Sequence, residues 1–320
     1  MKDRLRILVA ACAMLAIVPA QAQNYPEKPI TIVVPFGPGS GTDVITRIIA
    51  QPLGAALNQN IVVETKPGAN GAIAATYVAH AAPDGYTLFM STNSPHSAAP
   101  TLNKSINYDP IKDFTGISRV GSFTMTIAVG GKLPFKTIAD LVAHAKANPG
   151  KLSYGTGNTA GILTAAAFKK WAGVDMVHVP YKTVPPAITD ALGGQIAVVL
   201  TDVGPGIPHF TSGALRPLAT SRLQRSALLP NVPTLHELGA TGLEVDAWAG
   251  LFAPTGTPPE IVKRLNAEVV KILADPKVKE QIAKTGFDTI SSTPAELNDF
   301  SKAQLVKWTK MIKDAGIQAE

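Results

Sequence analysis

Short apolar runs alternate with longer helical patterns along almost the whole chain, and this alternation limits the fold more than any other feature. Residues 30–34 predict a buried strand, residues 43–57 a helix, and residues 61–64 a second strand. A helix at 72–81 and a strand at 87–90 continue the series. Strands that alternate with helices in this way are typical of an α/β fold with mainly parallel sheets.

The same alternation begins again in the second part of the chain. Strands are predicted at 125–129, 152–154, 176–179, 196–200 and 248–254, and helices at 137–147, 162–172, 186–192, 258–274, 278–284 and 294–314. Two such series, joined by strand-like segments without a low-complexity linker, predict two α/β lobes with a double connection. We assign residues 23–122 with 250–320 to lobe 1 and residues 123–249 to lobe 2, with hinges near 121–126 and 246–250.

Residues 1–22 have the three parts of a secretory signal peptide. Three basic residues at positions 2–6 precede an apolar stretch at 7–18, and small residues allow cleavage after Ala22. The apolar stretch is shorter than the roughly 20 residues of a membrane-spanning helix. Cleavage would remove Cys12, the single cysteine, unless Cys12 is itself a lipoprotein processing site. We therefore expect a periplasmic protein without disulfides.

The charge distribution limits the possible partners. The formal net charge is +6, and the basic residues are scattered rather than gathered into a stripe. This distribution argues against nucleic acid as a partner, and a mildly positive chain suits an anionic solute. We expect a monomer that binds a small molecule.

The clearest candidate for a binding loop lies between the first strand and the first helix. Its sequence is Pro-Phe-Gly-Pro-Gly-Ser-Gly-Thr-Asp, at residues 35–43. Glycines let the backbone approach a ligand closely, and N–H groups at a helix N-terminus attract anions. Ser40 and Thr42 add hydroxyl donors, whereas Asp43 is predicted to be the N-cap of the helix. An ordinary tight connection between strand and helix would fit the same residues.

Three further loops of similar character follow predicted strands. They are residues 67–71, residues 91–97 with Ser91, Thr92, Asn93 and His96, and residues 155–161 with Thr156, Gly157, Asn158 and Thr159. Because ligands of such folds bind at the carboxyl ends of strands, the four loops predict one cleft between the lobes. None of the loops contains Arg, so we expect neutral donors to hold the anion. His96 is either a hydrogen-bond donor to the ligand or part of the loop scaffold.

Sequence patterns for catalysis and for metal binding are missing. There is no Gly-x-Ser-x-Gly elbow, and His236-Glu237 lacks the second His of a zinc helix. We therefore predict a protein without catalysis, cofactor or metal. One alternative stays open: Gly155-x-Gly157-x-x-Ala160, with Asp175 about 20 residues further on, fits a relaxed dinucleotide fingerprint and would suit an oxidoreductase.

Seven segments resemble, in chain order, motifs of the tripartite tricarboxylate transporter receptors of the Bordetella-uptake-gene (Bug) type. They are residues 35–43, 67–71, 84–88, 178–182, 192–195, 230–234 and 248–258. The resemblance implies a type II periplasmic binding protein fold whose lobes close over a small carboxylate. It further implies a permease with a large and a small membrane subunit as the partner. A periplasmic sensor that presents its ligand to a signalling kinase is the alternative role.

The resemblance also implies which residues contact the ligand. Carried over by position, these are Phe36, Gly39, Ser40, Gly41, Thr42, Asn70, Gly157, Asn158, Thr159, Tyr181 and Asp202. For Asp202, a helix cap is the alternative role.

Four departures from the family pattern bear on the identity of the ligand. Ser40 and Asn70 each replace a glycine, Ile162-Leu163 replaces a His-Leu pair, and Thr183 replaces a glycine. We predict a left-handed backbone conformation for Asn70, because Asn tolerates it.

Overall fold

The computed structural model describes residues 25–241, 244–245 and 247–319. The predicted signal peptide and Cys12 lie outside these residues. The strands that the structure describes are β1 Ile30–Val34, β2 Ile61–Thr65, β3 Thr87–Thr92, β4 Phe114–Phe123, β5 Met125–Gly130, β6 Ser153–Thr156, β7 Val177–Pro180, β8 Val198–Asp202, β9 Leu215–Thr220, β10 Ala247–Pro254 and β11 Phe287–Thr289.

The strands are covered by helices on both sides. The described α-helices are α1 Gly41–Leu57, α2 Ala72–Ala79, α3 Ala99–Leu102, α4 Ile138–Ala147, α5 Thr159–Ala172, α6 Val184–Leu192, α7 Val203–Thr211, α8 Pro259–Ala274, α9 Pro276–Ala283 and α10 Pro294–Asp314. A short 3-10 turn at Ala69–Gly71 and a π-helical turn at Ser94–Ala98 complete the list.

Two sheets with the same internal order form the two lobes. The first has the order β2-β1-β3-β10-β4-β11, and the second has the order β7-β6-β8-β5-β9. In each, three parallel strands are followed by an antiparallel strand, β10 beside β3 and β5 beside β8. Both antiparallel strands come directly from the other lobe, so the lobes are doubly connected. The α/β fold class predicted from the sequence is confirmed.

The chain passes between the sheets at two places. The first passage is Thr124, between β4 and β5, and the second lies between Thr220 and Ala247. β10 belongs to the first sheet from Ala247 onward, slightly before the predicted boundary at residue 250. A bridge between Thr220 and Thr234 keeps the segment after β9 beside the second sheet.

The central strands carry the core. β3 is buried along all but its first residue, and β8 and β10 are buried along their whole length, as expected for strands with helices on both faces. Trp248 on β10 and Trp308 on α10 are fully buried, and each large apolar side chain buried in this way contributes about 1.5–3 kcal/mol. None of the helices in the described part of the chain combines the length and the apolar character needed to cross a bilayer.

Some elements were not predicted from the sequence. β4 contains two glycines and Arg119, which obscure the pattern of a strand. α7 contains two glycines and two prolines within nine residues. Both elements form because tertiary packing outweighs local propensity: β4 pairs with β10 and β11, and α7 packs on β8 and β9.

Candidate functional site

A cleft lies between the lobes, at the carboxyl ends of parallel strands from both sheets. Its walls are formed by Phe36, Ser40, Thr42, Thr92, Asn93, Ser94, Phe123, Gly157, Asn158, Ala160, Thr183, Val184, Asp202 and Ala247. The space open to the centre of a water molecule is about 10 Å³, which is about enough for one water. The two walls are therefore almost in contact, and the lobes are closed on each other.

Eight residues predicted from the sequence line this cleft. They are Phe36, Ser40, Thr42, Thr92, Asn93, Gly157, Asn158 and Asp202. The loops after β1, β3 and β6 thus face a common space, as the positions of their strands predicted.

The first-lobe wall contains the start of α1. Ser40 caps this helix, because its hydroxyl accepts a hydrogen bond from Asp43 N–H at 3.3 Å. The prediction that Asp43 is the cap is wrong, since the helix begins two residues earlier. The Asp43 carboxylate instead accepts from Gly39 N–H at 3.0 Å. The N–H groups of Gly41 and Thr42, in the first turn, have no acceptor within the helix and are available to an anion.

The second-lobe wall contains the start of α5. The side-chain oxygen of Asn158 accepts from Gly161 N–H at 2.8 Å and caps the helix, which begins at Thr159 rather than at the predicted residue 162. Asn is a strong N-cap, which explains the earlier start. A Cβ on Gly157 would lie 2.2 Å from the carbonyl carbon of Thr183. Glycine is therefore required at position 157, because two loops of the lobe pack backbone against backbone there.

Four helix N-termini meet at the cleft, that of α1 from the first lobe and those of α5, α6 and α7 from the second. Each N-terminus carries partial positive charge. Free N–H groups are fewer at α6, where Pro185 and Pro186 have none, and at α7, where Val203 N–H donates to Thr124 O at 3.0 Å. Among the described residues that line the cleft, none is Lys, Arg or His. Helix ends, hydroxyls and amides are therefore the groups of this lining that can attract an anion.

Hydrogen bonds join the lobes across the cleft. Asn93 Nδ2 donates to Thr159 Oγ1 at 3.1 Å, and the hydroxyl oxygens of Thr159 and Ser94 lie 2.8 Å apart. Thr159 N–H also donates to Ser94 Oγ at 3.3 Å. The three residues are at most 3% exposed, so water does not compete for these bonds. Because the bonds connect the two lobes, they stabilise the closed arrangement and no other.

Asp202 is the one ionisable residue among the described residues of the lining. It holds the N-cap position of α7, but its side chain makes no capping hydrogen bond. The carboxyl group faces the other lobe, since a Cβ on Gly41 would lie 3.3 Å from Asp202 Oδ2. Burial raises the pKa of Asp202 from 3.8 to about 7, and only the residue's own backbone N–H opposes this. Ionisation of this carboxyl group is therefore less favourable in the closed cleft than in water, because burial penalises the charged form.

His96 does not line the cleft. It is fully buried, its Nδ1 lies 2.6 Å from Ser91 Oγ, and its ring stacks on Phe252 with centroids 4.1 Å apart. Burial lowers the pKa of His96 to about 3, so the ring is neutral at physiological pH. The structure therefore places His96 and Ser91 in the scaffold beneath the loop after β3.

Six other predicted residues also lie outside the lining. Gly39, Gly41 and Thr159 are next to lining residues in the chain, and the other three are Thr156, Tyr181 and Asn70. Thr156 Oγ1 is 2.7 Å from His178 Nε2, and the Tyr181 hydroxyl donates to Asp190 at 2.6 Å. These bonds keep both side chains within the second lobe. Asn70 has a φ of 53°, the predicted left-handed conformation, in the turn before α2.

Six lining residues were not predicted, namely Ser94, Phe123, Ala160, Thr183, Val184 and Ala247. Thr183 was noted only as a departure from the family pattern, although it precedes a valine and two prolines, which indicate the start of a helix. Its hydroxyl is buried without a hydrogen-bond partner. Phe123 and Ala247 lie where the chain changes lobe, and no local pattern marks such positions. Gly39 lies at the rim, where a Cβ would meet Pro185 of the second lobe at 3.9 Å.

The dinucleotide alternative is not supported by the geometry. Asp175 precedes β7 and therefore lies at the opposite end of the second sheet from residues 155–161. It is exposed and lies 3.5 Å from Lys169 Nζ. An acidic residue that binds a ribose must lie on the same edge of the sheet as the glycine loop.

The fold and the cleft define a two-lobed solute-binding protein of the periplasmic binding class. The family model described as tripartite tricarboxylate transporter family receptor matches residues 45–317. The chain therefore belongs to this family, and the resemblance noted in the sequence is confirmed. BugT of Bordetella pertussis is 33% identical over 97% of this chain and 95% of the relative.

Two solved structures of similar proteins contain small acids. A protein from R. palustris solved with adipate is 32% identical, with a TM-score of 0.90 over 92% of this chain and 100% of the other. MatC from Rhodopseudomonas palustris, solved with bound malate, is 29% identical, with a TM-score of 0.83 over 90% of this chain and 100% of the other.

Proposed function

We propose that this protein is a periplasmic receptor that binds a small carboxylate without transforming it. The observation that carries the proposal is the convergence of four helix N-termini, with hydroxyl and amide donors, on a cleft whose described lining has no cationic side chain. Such a site attracts an anion and holds it through many modest hydrogen bonds. The adipate and malate in similar structures support a carboxylate as the ligand.

Ligand capture in this proposal requires the lobes to separate and close again. The closed cleft has room for about one water, so an acid of several carbon atoms enters an open form. Residues near Thr124 and between Thr220 and Ala247 are the passages at which a hinge would act. Closure is favoured only if the ligand contacts both lobes. A ligand with equal affinity for the open and closed forms would not change the equilibrium between them.

The proposed route of the ligand follows from the family. The protein would be exported by the signal peptide at residues 1–22 and would release its acid to a permease with a large and a small membrane subunit. Membership of the tripartite tricarboxylate transporter receptors supports this partner.

A screen for thermal stabilisation by organic acids, followed by calorimetry, tests the function. An acid at 100 times its Kd stabilises the folded state by about 2.7 kcal/mol, which corresponds to several degrees in Tm. If no carboxylate among aliphatic, aromatic and amino acids stabilises the mature protein, the proposed function is wrong.

A pair of variants on α1 tests the position of the site. Thr42 lines the cleft, whereas Thr46 is fully buried one turn away and donates to Thr42 O at 2.6 Å. We expect Thr42→Val to weaken acid binding by about threefold to tenfold, the value of one hydrogen bond. Thr46→Val, the matched control, should bind with unchanged affinity.

A further inference from the structure

The carboxyl group of Asp202 is buried by closure of the lobes. It ends β8 on the second lobe, is 7% exposed, and faces the first turn of α1 on the first lobe. It shares the cleft lining with Phe123, which also packs against Gly41. Apart from its own backbone N–H, the Asp202 carboxylate has no hydrogen-bond or ionic partner among the described residues. Separation of the lobes would return this group to water.

No cation among the described residues faces this carboxyl group. β5 and β8 carry no other ionisable side chain beside it. Charged and titratable residues on the surrounding elements include Asp43, Arg47, Arg119, Lys169, Lys182, Asp190, His209, Lys284 and Asp288. None of these contributes to the pKa of Asp202, which burial alone raises.

Three of these groups have partners of their own. Asp43 accepts from Gly39 and pairs with Arg47 at 2.9 Å. Lys284 is exposed and pairs with Glu280 at 2.7 Å. A ligand anion held between the two lobes as they close on it would therefore meet the carboxyl group of Asp202 without any intervening positive side chain.

We propose that a carboxylate without a cationic group is bound together with one proton, which Asp202 takes up from solvent as the lobes close. This inference rests on the proposed function. Two ionised carboxylates in one buried site repel each other, so the pair keeps a proton. The balance is simple: the ionised Asp202 of the open form plus one solvent proton gives a neutral carboxyl group. Its O–H then donates a hydrogen bond to an oxygen of the bound acid.

Proton uptake is measured by calorimetry at pH 7 in several buffers with different ionisation enthalpies. The slope of the binding heat against buffer enthalpy is the number of protons taken up. Burial alone brings the pKa of Asp202 to about 7, so about half a proton would be taken up at pH 7. The adjacent anion raises the pKa further, and the number of protons taken up then approaches one. The ligand used is malate, adipate or whichever acid the thermal screen identifies, fully ionised at pH 7.

Two variants separate Asp202 from other sources of protons. Asp202→Asn should bind the acid with a slope near zero, and its affinity should not change from pH 7 to 9. The wild-type affinity should fall by up to tenfold per pH unit over the same range. Asp175→Asn, on an exposed carboxylate outside the cleft, should retain the wild-type slope.

The outcomes are distinguishable. Binding by the wild-type protein with zero slope at pH 7, or an unchanged slope in Asp202→Asn, overturns the inference and leaves the receptor function intact. If none of the tested carboxylates binds, the proposed function and the inference are both overturned. The wild-type slope decides the question even if the variant fails to fold.

Discussion

Replacement of Thr159 by Val tests whether the bonds across the cleft set the affinity for the ligand. The variant keeps the size of the side chain but removes the hydroxyl that joins Asn93 at 3.1 Å and Ser94 at 2.8 Å. Each lost bond is worth about 1 kcal/mol, so the closed form loses about 2 kcal/mol. The open form makes neither bond. The full difference therefore appears as weaker binding, by roughly 30-fold.

Titration calorimetry with the best acid of the screen measures this loss. The control is Thr164→Val on the same helix, because Thr164 is 1% exposed and its hydroxyl has no hydrogen-bond partner. Its replacement should leave affinity unchanged. X-ray scattering should show that the Thr159 variant needs more ligand to reach the compact form. If both variants bind as tightly as the wild-type protein, the cross-cleft bonds do not stabilise the liganded state and the reasoning is refuted.

Two further predictions concern the scaffold of the site. Gly157→Ala places a methyl group 2.2 Å from the backbone of Thr183. We therefore expect chemical denaturation to show a loss of about 1–3 kcal/mol in the free energy of unfolding. Gly193→Ala is the control, because the nearest atom to its methyl group lies at 3.5 Å, and it should leave the stability unchanged. His96 has a pKa of about 3 when folded and 6.5 when free. Its protonation therefore favours the unfolded chain, and stability is lost as the pH falls below 6.5. At pH 5 this loss is about 2 kcal/mol. We expect His96→Phe to lose correspondingly less stability between pH 7 and 5 than the wild-type protein. If the free energy of unfolding changes with pH in the same way in both proteins, His96 is not buried in its neutral form.

Much of the architecture was predictable because it depends on local patterns. The apolar run of β1 and the amphipathic pattern of α10 gave the observed bounds, Ile30–Val34 and Pro294–Asp314. The convergence of the loops was also predictable, since the carboxyl ends of parallel strands share one edge of a sheet.

The details that local patterns do not encode were missed. Ser40 and Asp43 are both good N-caps, and only the path of the chain before the helix decides between them. His96 occurs in a polar loop, yet a π-helical turn at Ser94–Ala98 directs its ring into the aromatic core. Phe123 and Ala247 belong to the cleft only because the chain crosses between the lobes beside it.

A crystal structure of the mature protein with its tightest-binding acid is the most direct measurement of the central claim. We expect the carboxylate oxygens to accept hydrogen bonds from residues 40–42 of the first lobe and 157–159 of the second, with no Lys or Arg in contact. An acid that is bound to one lobe alone, or held by a cationic side chain outside the cleft, would contradict the account.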